Sequence, residues 1–470
     1  MGKDRETGFM QRKVKRIHFV GIGGIGMSGI AEVLLNLGYG ISGSDVQIND
    51  TTLRLQRLGA QVAHGHAAEN IGSADVVVTS TAVKTDNPEV IEAHRKNIPV
   101  IPRAEMLAEL LKMKFSVAVS GSHGKTTTTS MVSTLLAEGG LDPTMVIGGK
   151  LASIGSNARL GDGDIIVAEA DESDGSFLKL SPTIAVVTNI DREHLDYYPG
   201  IEEIKAAFLK FANIVPFYGC IVMCNDNEHV REIAGSIKRR VITYGIEQPA
   251  DYCARDIRYL ETKTLYQLSY RGESLGDVEL IVPGLFNVYN SMAAVAVGRE
   301  LGLDIATIRR GLSAFSGVQR RLEIKGTAGG ITVVDDYGHH PTEIVATLSA
   351  ARQMWKGRLI VVFQPHRYTR TRALFDEFTR SFGDADVLVL NDIYPASEAP
   401  IPGINSAALW AAIKEIGHPR VEYIGQAQNT LDFLQAIAEP GDAVITLGAG
   451  SVYKIGEAFL AQLEKKGEKR

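Results

Sequence analysis

The hydrophobic positions of this chain fall into short runs that end at glycine or polar residues. Runs of this length and composition predict β-strands, and helix-length segments separate most of them. Strands that alternate with helices are typical of parallel construction, so the pattern predicts an α/β fold with mainly parallel sheets. The predicted strands are residues 17–20, 76–78, 99–101, 115–119, 165–168, 184–187, 331–334, 359–363, 387–390 and 443–445.

The predicted strands group into three α/β segments that follow one another along the chain. We predict an N-terminal Rossmann-like domain over residues 1–113, a central phosphate-loop ATPase domain over residues 114–322 and a C-terminal Rossmann-like domain over residues 323–470. The length of 470 residues agrees with this division. A single hydrophobic core stops growing beyond about 250–300 residues.

Composition and charge exclude several classes of protein. With 45% hydrophobic and 22% charged residues, the chain has the make-up of a folded globular protein and not of a disordered or fibrous one. The net charge of -6 is not accompanied by a long run of Lys or Arg ahead of the C-terminal tail. We therefore expect no nucleic-acid partner.

Cysteine content and the length of the apolar stretches bear on location. Three cysteines are too few for a disulfide framework, which favours a reducing cytoplasm. The longest apolar stretch near the N-terminus, residues 19–31, is rich in glycine and shorter than the roughly 20 residues of a membrane span. It also lacks the cleavage site of a secretory leader, so we expect neither membrane insertion nor export. Whether the protein is a monomer or a homodimer stays open.

A glycine-rich loop follows the first predicted strand and precedes a helical run. Its glycines are Gly21, Gly23, Gly24 and Gly26 in the pattern G-x-G-G-x-G. Such glycines let the backbone approach a diphosphate at a helix N-terminus. Asp45 closes the next predicted strand, where dinucleotide-binding folds place an acid that accepts a ribose hydroxyl. The loop therefore predicts a nucleotide diphosphate, either a dinucleotide or a UDP-sugar, with a turn that holds no ligand as the alternative.

A second glycine-rich loop follows the strand predicted at residues 115–119. It consists of Gly121, Ser122, His123, Gly124, Lys125, Thr126 and Thr127. Backbone N–H donors, a reaching lysine and a metal-binding hydroxyl are the parts of a phosphate-binding loop, so we expect ATP here. The loop is a shortened variant, because Val119 stands where the standard motif has its first glycine. A turn without a ligand is the alternative, although Lys125 would then lack a counter-charge.

Acidic residues follow the next predicted strand, at the sheet edge where the phosphate loop lies. Mg²⁺ prefers carboxylate, hydroxyl and phosphate oxygens, so Thr126 and Glu169 are its predicted ligands. Asp171 and Glu172 are either further ligands or solvated carboxylates. His194 follows the next strand along the chain and is predicted to bind a second metal. Imidazole is an unusual ligand for Mg²⁺, which leaves Mn²⁺ open, and a structural hydrogen bond is the alternative role.

Longer strings of residues along the chain match a recurring set of motifs. They are residues 121–127, 169–174, 189–196, 287–294, 320–323, 335–343 and 364–371. Together these strings resemble the Mur ligase family over nearly the whole chain. The two strings in the C-terminal third resemble the alanine-adding members of that family.

The resemblance implies an ATP-dependent carboxylate–amine ligase of bacterial cell-wall synthesis. It implies that L-alanine is joined to UDP-N-acetylmuramate through an acyl phosphate, with ATP and Mg²⁺ as cofactors. Lys125 and a metal on Thr126 and Glu169 would hold the phosphates, and a second metal near His194 would bridge the substrate carboxylate to the γ-phosphate.

The resemblance also assigns residues to the nucleotide and to the amino acid. Candidates for contact with adenine and phosphate are Asn287, Asn290 and Arg320, and Asp335 is the candidate for contact with the ribose. Arg367 and Arg370 are candidates to bind the carboxylate of the amino acid. The wall of the amino-acid pocket would consist of Tyr337, His339 and His366. Helix capping is the alternative for the asparagines, and a surface salt bridge or core hydrogen bond for the others. The chain departs from the family at Phe208, where later ligases of the pathway have a lysine that becomes carbamylated, and at Phe286, where histidine is common.

Three other functions compete with this interpretation. A related ligase that recycles tripeptides has similar motifs. A dinucleotide-dependent oxidoreductase explains the first glycine loop but not the phosphate loop with its acidic edge. A nucleotide-sensing switch explains the phosphate loop but has no use for the histidines and arginines near the C-terminus.

Overall fold

The structure, a computed structural model, describes residue 10 and residues 13–151, 156–195, 197–260 and 263–468. Strands and helices alternate in the N-terminal domain. They are β1 Arg16–Val20, α1 Ile25–Asn36, β2 Gly40–Asp45, α2 Asp50–Arg57, β3 Gln61–His64, β4 Val76–Thr79, α3 Pro88–Arg95, β5 Val100–Pro102 and α4 Arg103–Lys112. The strands form a parallel sheet in the order β3-β2-β1-β4-β5.

The central domain contains a larger mixed sheet. Its elements are β6 Phe115–Ser120, α5 Lys125–Glu138, β7 Thr144–Leu151, β8 Ser156–Arg159, β9 Ile165–Glu169, β10 Ile184–Val187, α6 Ile201–Ile214, β11 Cys220–Cys224, α7 Glu228–Ala234, β12 Arg240–Gly245, β13 Tyr252–Leu260, β14 Lys263–Tyr270, β15 Glu273–Leu280, α8 Leu285–Glu300 and α9 Ile305–Ala314. The strand order is β15-β14-β13-β12-β11-β10-β6-β9-β7-β8. The strands from β13 to β7 in this order pair in parallel, whereas β14, β15 and β8 are antiparallel additions at the two edges.

The C-terminal domain is again mainly parallel. Its elements are β16 Glu323–Ala328, β17 Ile331–Asp336, α10 Pro341–Met354, β18 Leu359–Phe363, α11 Tyr368–Ala373, α12 Phe375–Thr379, β19 Val387–Asn391, α13 Ser406–Glu415, β20 Val421–Gly425, α14 Ala427–Ile437, β21 Ala443–Leu447 and α15 Tyr453–Glu468. The strand order is β16-β17-β21-β18-β19-β20, in which β16 alone pairs antiparallel among the described strands of this sheet.

The predicted α/β fold with three domains is confirmed, and every predicted strand coincides with an observed one. Continuous apolar runs such as β10 and β18 are strands with every residue buried, as expected where helices cover both faces of a parallel sheet. The strands β13, β14 and β15 were not predicted, because the prediction used continuous apolar runs and polar residues interrupt the apolar positions of these strands. The domain limits after residues 113 and 322 stay predictions. In the part of the chain that the structure describes, no helix is long and apolar enough to cross a membrane.

The sheets bring the two glycine-rich loops toward the same region of the molecule. β1 leads into the first loop and β6 into the phosphate loop, while β9 and β10 end beside the phosphate loop at the carboxyl edge of the central sheet. That edge is the usual ligand site of parallel α/β sheets. The N-terminal domain reaches it because α1 packs on β7 and β8, where Asn157 donates to Ser28 Oγ (3.3 Å).

Candidate active site

The phosphate loop is held against the segment that follows β10. The Ser122 N–H donates to the Asn189 carbonyl (3.1 Å) and the His123 N–H to Asn189 Oδ1 (2.8 Å). Gly121 has φ +136° and its Cβ position lies 1.9 Å from Thr188 Oγ1, so no other residue fits there. Val119 is fully buried as part of β6, which explains why this shortened loop needs no glycine at that position.

Lys125 lies inside the loop and pairs with a carboxylate. Its Nζ donates to the Gly121 carbonyl (2.6 Å), the Ser122 carbonyl (3.1 Å) and Glu172 Oε1 (2.7 Å). Burial alone would lower the pKa of Lys125, but the charges of Glu172 and of neighbouring carboxylates raise it above its usual value. The loop therefore presents a permanent positive charge to a phosphate.

Two predicted magnesium ligands are in contact. Thr126 Oγ1 donates to Glu169 Oε2 (2.9 Å), and the Gly148 N–H donates to the same oxygen (2.8 Å). Burial raises the pKa of Glu169, while the nearby Lys125 charge opposes that rise. A hydroxyl and a buried carboxylate side by side are a donor set that suits Mg²⁺.

Glu172 is a site residue that the sequence left open and the structure places at the centre. It is 1% exposed, its Oε1 lies 3.3 Å from His194 Nε2, and its Oε2 is buried without a hydrogen-bond partner. Donor atoms of Glu172, Glu193 and His194 all lie within 4.8 Å of one another. His194 therefore joins a carboxylate pair that fits a divalent cation, and the orphaned oxygen of Glu172 is available to one. Asp196, in the same string, lies outside the described residues.

Asp171 differs from Glu172 because it stays partly exposed. Its carboxylate pairs with Arg103 of α4 (3.3 Å), which joins the N-terminal and central domains. This contact forms one side of a cavity of about 350 Å³. The cavity runs from the first glycine loop to Glu169, and its wall includes Gly21, Gly24, Gly26, Ser80, Arg103 and Glu169.

Gly23 and Asp45 support the first glycine loop. Asp45 Oδ2 accepts the Gly23 N–H (2.9 Å), and Asp45 Oδ1 accepts the Gln47 N–H (3.0 Å). A Cβ atom at Gly23 would lie 2.8 Å from Asp45 Oδ2, so the glycine allows this close approach. Asp45 therefore has a structural role, and the ribose contact predicted for it stays a prediction.

A second cavity, of about 330 Å³, lies between the phosphate loop and the C-terminal domain. Its wall includes Gly124, Thr126, Phe286, Tyr289, Asn290, Arg321, Asp336 and Thr347. Asn290 Oδ1 accepts from Thr128 Oγ1 (3.1 Å), and Asn287 donates to the Pro283 carbonyl (2.7 Å). Neither asparagine caps α8, which begins after Gly284. Phe286 contributes an aromatic ring where the family commonly has histidine.

The roles predicted for Arg320 and Asp335 stay predictions, and the structure places these two side chains in contact with each other. Arg320 Nε pairs with Asp335 Oδ2 (2.9 Å), and Thr446 Oγ1 donates to the other Asp335 oxygen (2.7 Å). These contacts tie the domain junction to the C-terminal sheet. The adjacent residues Arg321 and Asp336 line the second cavity.

Arg367 and Arg370 line a third cavity, of about 140 Å³, together with Glu193 and His194. Arg367 precedes α11 with φ +70°, and Arg370 lies within that helix. Arg370 Nη2 is 3.4 Å from Glu193 Oε1. The two guanidinium groups therefore border one small cavity beside the metal-ligand candidates, as an amino-acid carboxylate requires.

His366, His339 and Tyr337 are not among the described residues that line this cavity, and their place in the amino-acid pocket stays a prediction. His366 stacks on Tyr394 with ring centroids 5.4 Å apart, and burial with the Arg370 charge lowers its pKa to about 4. His339 Nε2 is 3.7 Å from Glu193 Oε1. Tyr337 lies beneath the Arg320 guanidinium, 4.9 Å from its ring centroid. These rings contact the charged residues around the cavity. In the part of the chain that the structure describes, they do not form its wall.

Glu343 at the start of α10 was not predicted, although it ends one of the C-terminal strings. Its carboxylate accepts the His339 N–H (3.1 Å) and lies 3.3 Å from Arg321 Nη1 and 3.5 Å from His123 Nδ1. It therefore contacts the phosphate loop through His123, the wall of the second cavity through Arg321, and His339, which lies near Glu193. Nothing in its local sequence distinguishes it from an ordinary acid in the first turn of a helix.

Comparison with known proteins accounts for this arrangement along almost the whole chain. Residues 16–115 match the catalytic domain of the Mur ligase family, residues 119–298 the Mur ligase middle domain and residues 320–450 the glutamate ligase domain of Mur ligases. The chain belongs to the Mur ligase family.

Individual Mur ligases are similar to this one over their full length. The UDP-N-acetylmuramate–L-alanine ligase of Syntrophus aciditrophicus is 64% identical over 466 residues, which cover 99% of this chain and 97% of that protein. The ligase of the same name from Geotalea daltonii is 57% identical, covering 97% of this chain and 100% of that protein. The crystal structure of the UDP-N-acetylmuramate-alanine ligase of Thermotoga maritima has a TM-score of 0.82 at 28% identity and covers 96% and 99% of the two chains.

Proposed function

We propose that this Mur ligase joins L-alanine to the carboxylate of UDP-N-acetylmuramate with hydrolysis of ATP, a step in the synthesis of peptidoglycan precursors. The observation that carries the proposal is the convergence of three cavities on one group of charged residues. The first cavity reaches Glu169, the second contains Thr126, and the third contains His194. A sugar nucleotide, ATP and a small amino acid would thus meet beside Lys125.

The chemistry explains why the three ligands must meet. A carboxylate does not acylate an amine at neutral pH until a phosphoryl group activates it. The muramate carboxylate attacks the γ-phosphorus, ADP leaves, and an acyl phosphate forms. The alanine amine then attacks the acyl carbon, and phosphate leaves. The first transfer depends on neutralising phosphate charge, which Lys125 and the backbone N–H groups of the loop provide.

Mg²⁺ fits the donors at this edge of the sheet. Thr126 and Glu169 would hold one ion, and Glu172 with Glu193 and His194 would hold another. When bound, such ions supply positive charge to the transferring phosphoryl group. His194 keeps Mn²⁺ open as an alternative. Phe208 is buried against Phe177 in the hydrophobic core, so a carbamylated lysine has no place at that position.

The domains close over the reacting groups. Thr342 Oγ1 of the C-terminal domain donates to Asp191 of the central domain (2.7 Å), and Arg370 pairs with Glu193 across the same boundary. Closure of this kind excludes water, which would otherwise hydrolyse the acyl phosphate.

The small third cavity supports a single amino acid over a tripeptide. Pockets for drug-sized ligands measure about 300–1,000 Å³, whereas this one measures about 140 Å³. Arg367 and Arg370 would bind the alanine carboxylate, and glycine or serine would be weaker substrates. The cytoplasmic location and the choice between monomer and homodimer stay predictions.

The test is a phosphate-release assay with UDP-N-acetylmuramate, ATP, Mg²⁺ and each amino acid in turn. We expect release to require the sugar nucleotide and an amino acid together, with L-alanine the best acceptor. A tripeptide that replaces L-alanine efficiently would favour the recycling function. Release that needs neither substrate would contradict the ligase, and nicotinamide turnover without ATP would favour an oxidoreductase.

A further inference from the structure

A second cluster of histidine and carboxylate lies on the C-terminal-domain side of the phosphate loop. His123 belongs to the loop itself, Asp191 follows β10, and His340 precedes α10. One donor atom from each of the three lies within 4.8 Å of the other two. The ligase mechanism above uses none of these side chains as a metal ligand.

The separations suit a small ion. His123 Nε2 is 3.0 Å from Asp191 Oδ2, and His340 Nδ1 is 3.8 Å from the same oxygen. Zn²⁺ binds imidazole nitrogen and carboxylate oxygen at about 2.0–2.2 Å. Donors that surround such an ion are therefore about 3–4 Å apart. Small rotations of the three side chains would direct these donors at one point.

The cluster also has unused hydrogen-bonding capacity. His340 is 3% exposed and its Nε2 has no hydrogen-bond partner. His123 Nδ1 is buried and likewise lacks a hydrogen bond, although Glu343 Oε1 lies 3.5 Å away. The His123 and His340 rings lie with centroids 4.9 Å apart. Buried polar atoms without partners are uncommon in folded proteins, so each ring has a nitrogen that can take a second partner. The nitrogens that face Asp191 are the opposite ones, and His340 Nδ1 also accepts the Thr342 N–H (3.3 Å), a hydrogen bond that a cation would replace.

We propose that His123, Asp191 and His340 form a binding site for Zn²⁺ or a similar imidazole-preferring divalent cation. Two imidazoles and one carboxylate select such cations over Mg²⁺, which prefers oxygen ligands. The remaining position of a tetrahedral ion would face the second cavity, which His123 and Asp191 also line. The proposal does not rest on the ligase activity, because the site needs no substrate.

Occupancy of this site would join two domains. His123 and Asp191 belong to the central domain and His340 to the C-terminal domain. A cation that binds all three stabilises the closed arrangement in which they meet. Zn²⁺ would thereby favour closure without occupying the magnesium ligands Thr126 and Glu169.

The test uses the untagged full-length protein after treatment with a chelator. Co²⁺ alone is titrated in while its visible absorption is recorded, and Zn²⁺ is then added to displace it. The variants His340→Gln and His194→Gln are compared with the wild type, because His194 belongs to the other candidate metal group. We expect His340→Gln to weaken Co²⁺ binding at least about 100-fold, since loss of a supporting contact around a metal already costs 10–100-fold.

The control variant should retain the visible band of the wild type. Equal affinity of wild type and His340→Gln, or loss of the band in His194→Gln alone, would overturn the proposal. Zinc-edge X-ray absorption of the wild type provides a second measurement that does not depend on the folding of a variant. Two imidazole ligands would support the site, whereas one or none would refute it, because the group around His194 contains a single histidine.

Discussion

Replacing Glu172 by glutamine tests whether this carboxylate is part of the catalytic centre. The side chain is almost fully buried, and Oε1 lies 2.7 Å from Lys125 Nζ and 3.3 Å from His194 Nε2. Glutamine keeps the shape of the side chain and removes its charge. The change therefore separates the electrostatic role of Glu172 from its packing.

The expected magnitude follows from the distance to Lys125. Unit charges 2.7 Å apart attract by about 6 kcal/mol at an effective dielectric constant of about 20. Two effects reduce this loss: Glu169 and Glu193 also attract Lys125, and Glu172→Gln no longer has to bury the charge of Glu172. We therefore expect a net loss in the free energy of unfolding of about 3 kcal/mol. Removal of one preorganised charge or donor from an active site lowers kcat by about 10²–10³-fold. We expect a kcat loss in that range.

The assay is phosphate release at saturating substrate with Mg²⁺ varied, accompanied by thermal unfolding of each protein. Glu203→Gln, an exposed acid on α6, is the matched control and should keep wild-type kcat. The Mg²⁺ concentration for half-maximal rate should rise in Glu172→Gln and not in the control. A folded Glu172→Gln protein with kcat within about threefold of wild type would refute the role that the geometry assigns.

Three further outcomes are expected. Arg370→Lys should raise KM for alanine about 10–100-fold, because lysine cannot form the forked contact with a carboxylate. The control Arg380→Lys, at an exposed position, should keep the wild-type KM. Equal KM values for the two variants in rate assays would refute this role of Arg370. Gly23→Ala should raise KM for UDP-N-acetylmuramate about tenfold or more by overpacking against Asp45, and Gly383→Ala, with open space, should not. Burial lowers the pKa of His123, but the Asp191 hydrogen bond and the neighbouring Glu343 carboxylate raise it to about 10 from 6.5. In the metal-free protein its stabilising contribution is full below about pH 6.5 and lost as pH rises through about 10. Urea unfolding of His123→Asn with a chelator present should therefore show a weaker decline in stability between about pH 6.5 and 10 than wild type under the same conditions.

The sequence was sufficient for features that depend on neighbouring residues. The ten predicted strands, both glycine loops and the Thr126–Glu169 pair follow from local pattern and from the rule that parallel strands end at one edge. Glu172 could not be resolved in that way. It lies in an acidic string, and whether such a residue points to solvent or to Lys125 depends on a turn that the sequence does not reveal.

The neighbouring acids Asp335 and Asp336 at the domain junction could not be told apart from the sequence either. Successive residues of a strand point to opposite faces of the sheet, so only one of Asp335 and Asp336 can face the second cavity. In a strand exposed on one face, alternation of apolar and polar residues would reveal which one. β17 is covered on both faces and both carboxylates are buried, so its sequence has no such alternation. The choice is made by Arg320, whose positive φ places its side chain on Asp335 and leaves Arg321 toward the cavity.

Glu343 shows most clearly what the sequence cannot predict, because its partners come from separate parts of the chain. The contacts with His123, Arg321 and His339 exist only when the C-terminal domain lies against the phosphate loop. Glu343 makes these contacts in one arrangement of the domains and would lose them in another. The same contacts offer a physical route by which closure around the amino acid can be sensed at the phosphates. Arg370 and His339 reach Glu193 on the amino-acid side, while Glu343 joins His339 to the loop that binds ATP.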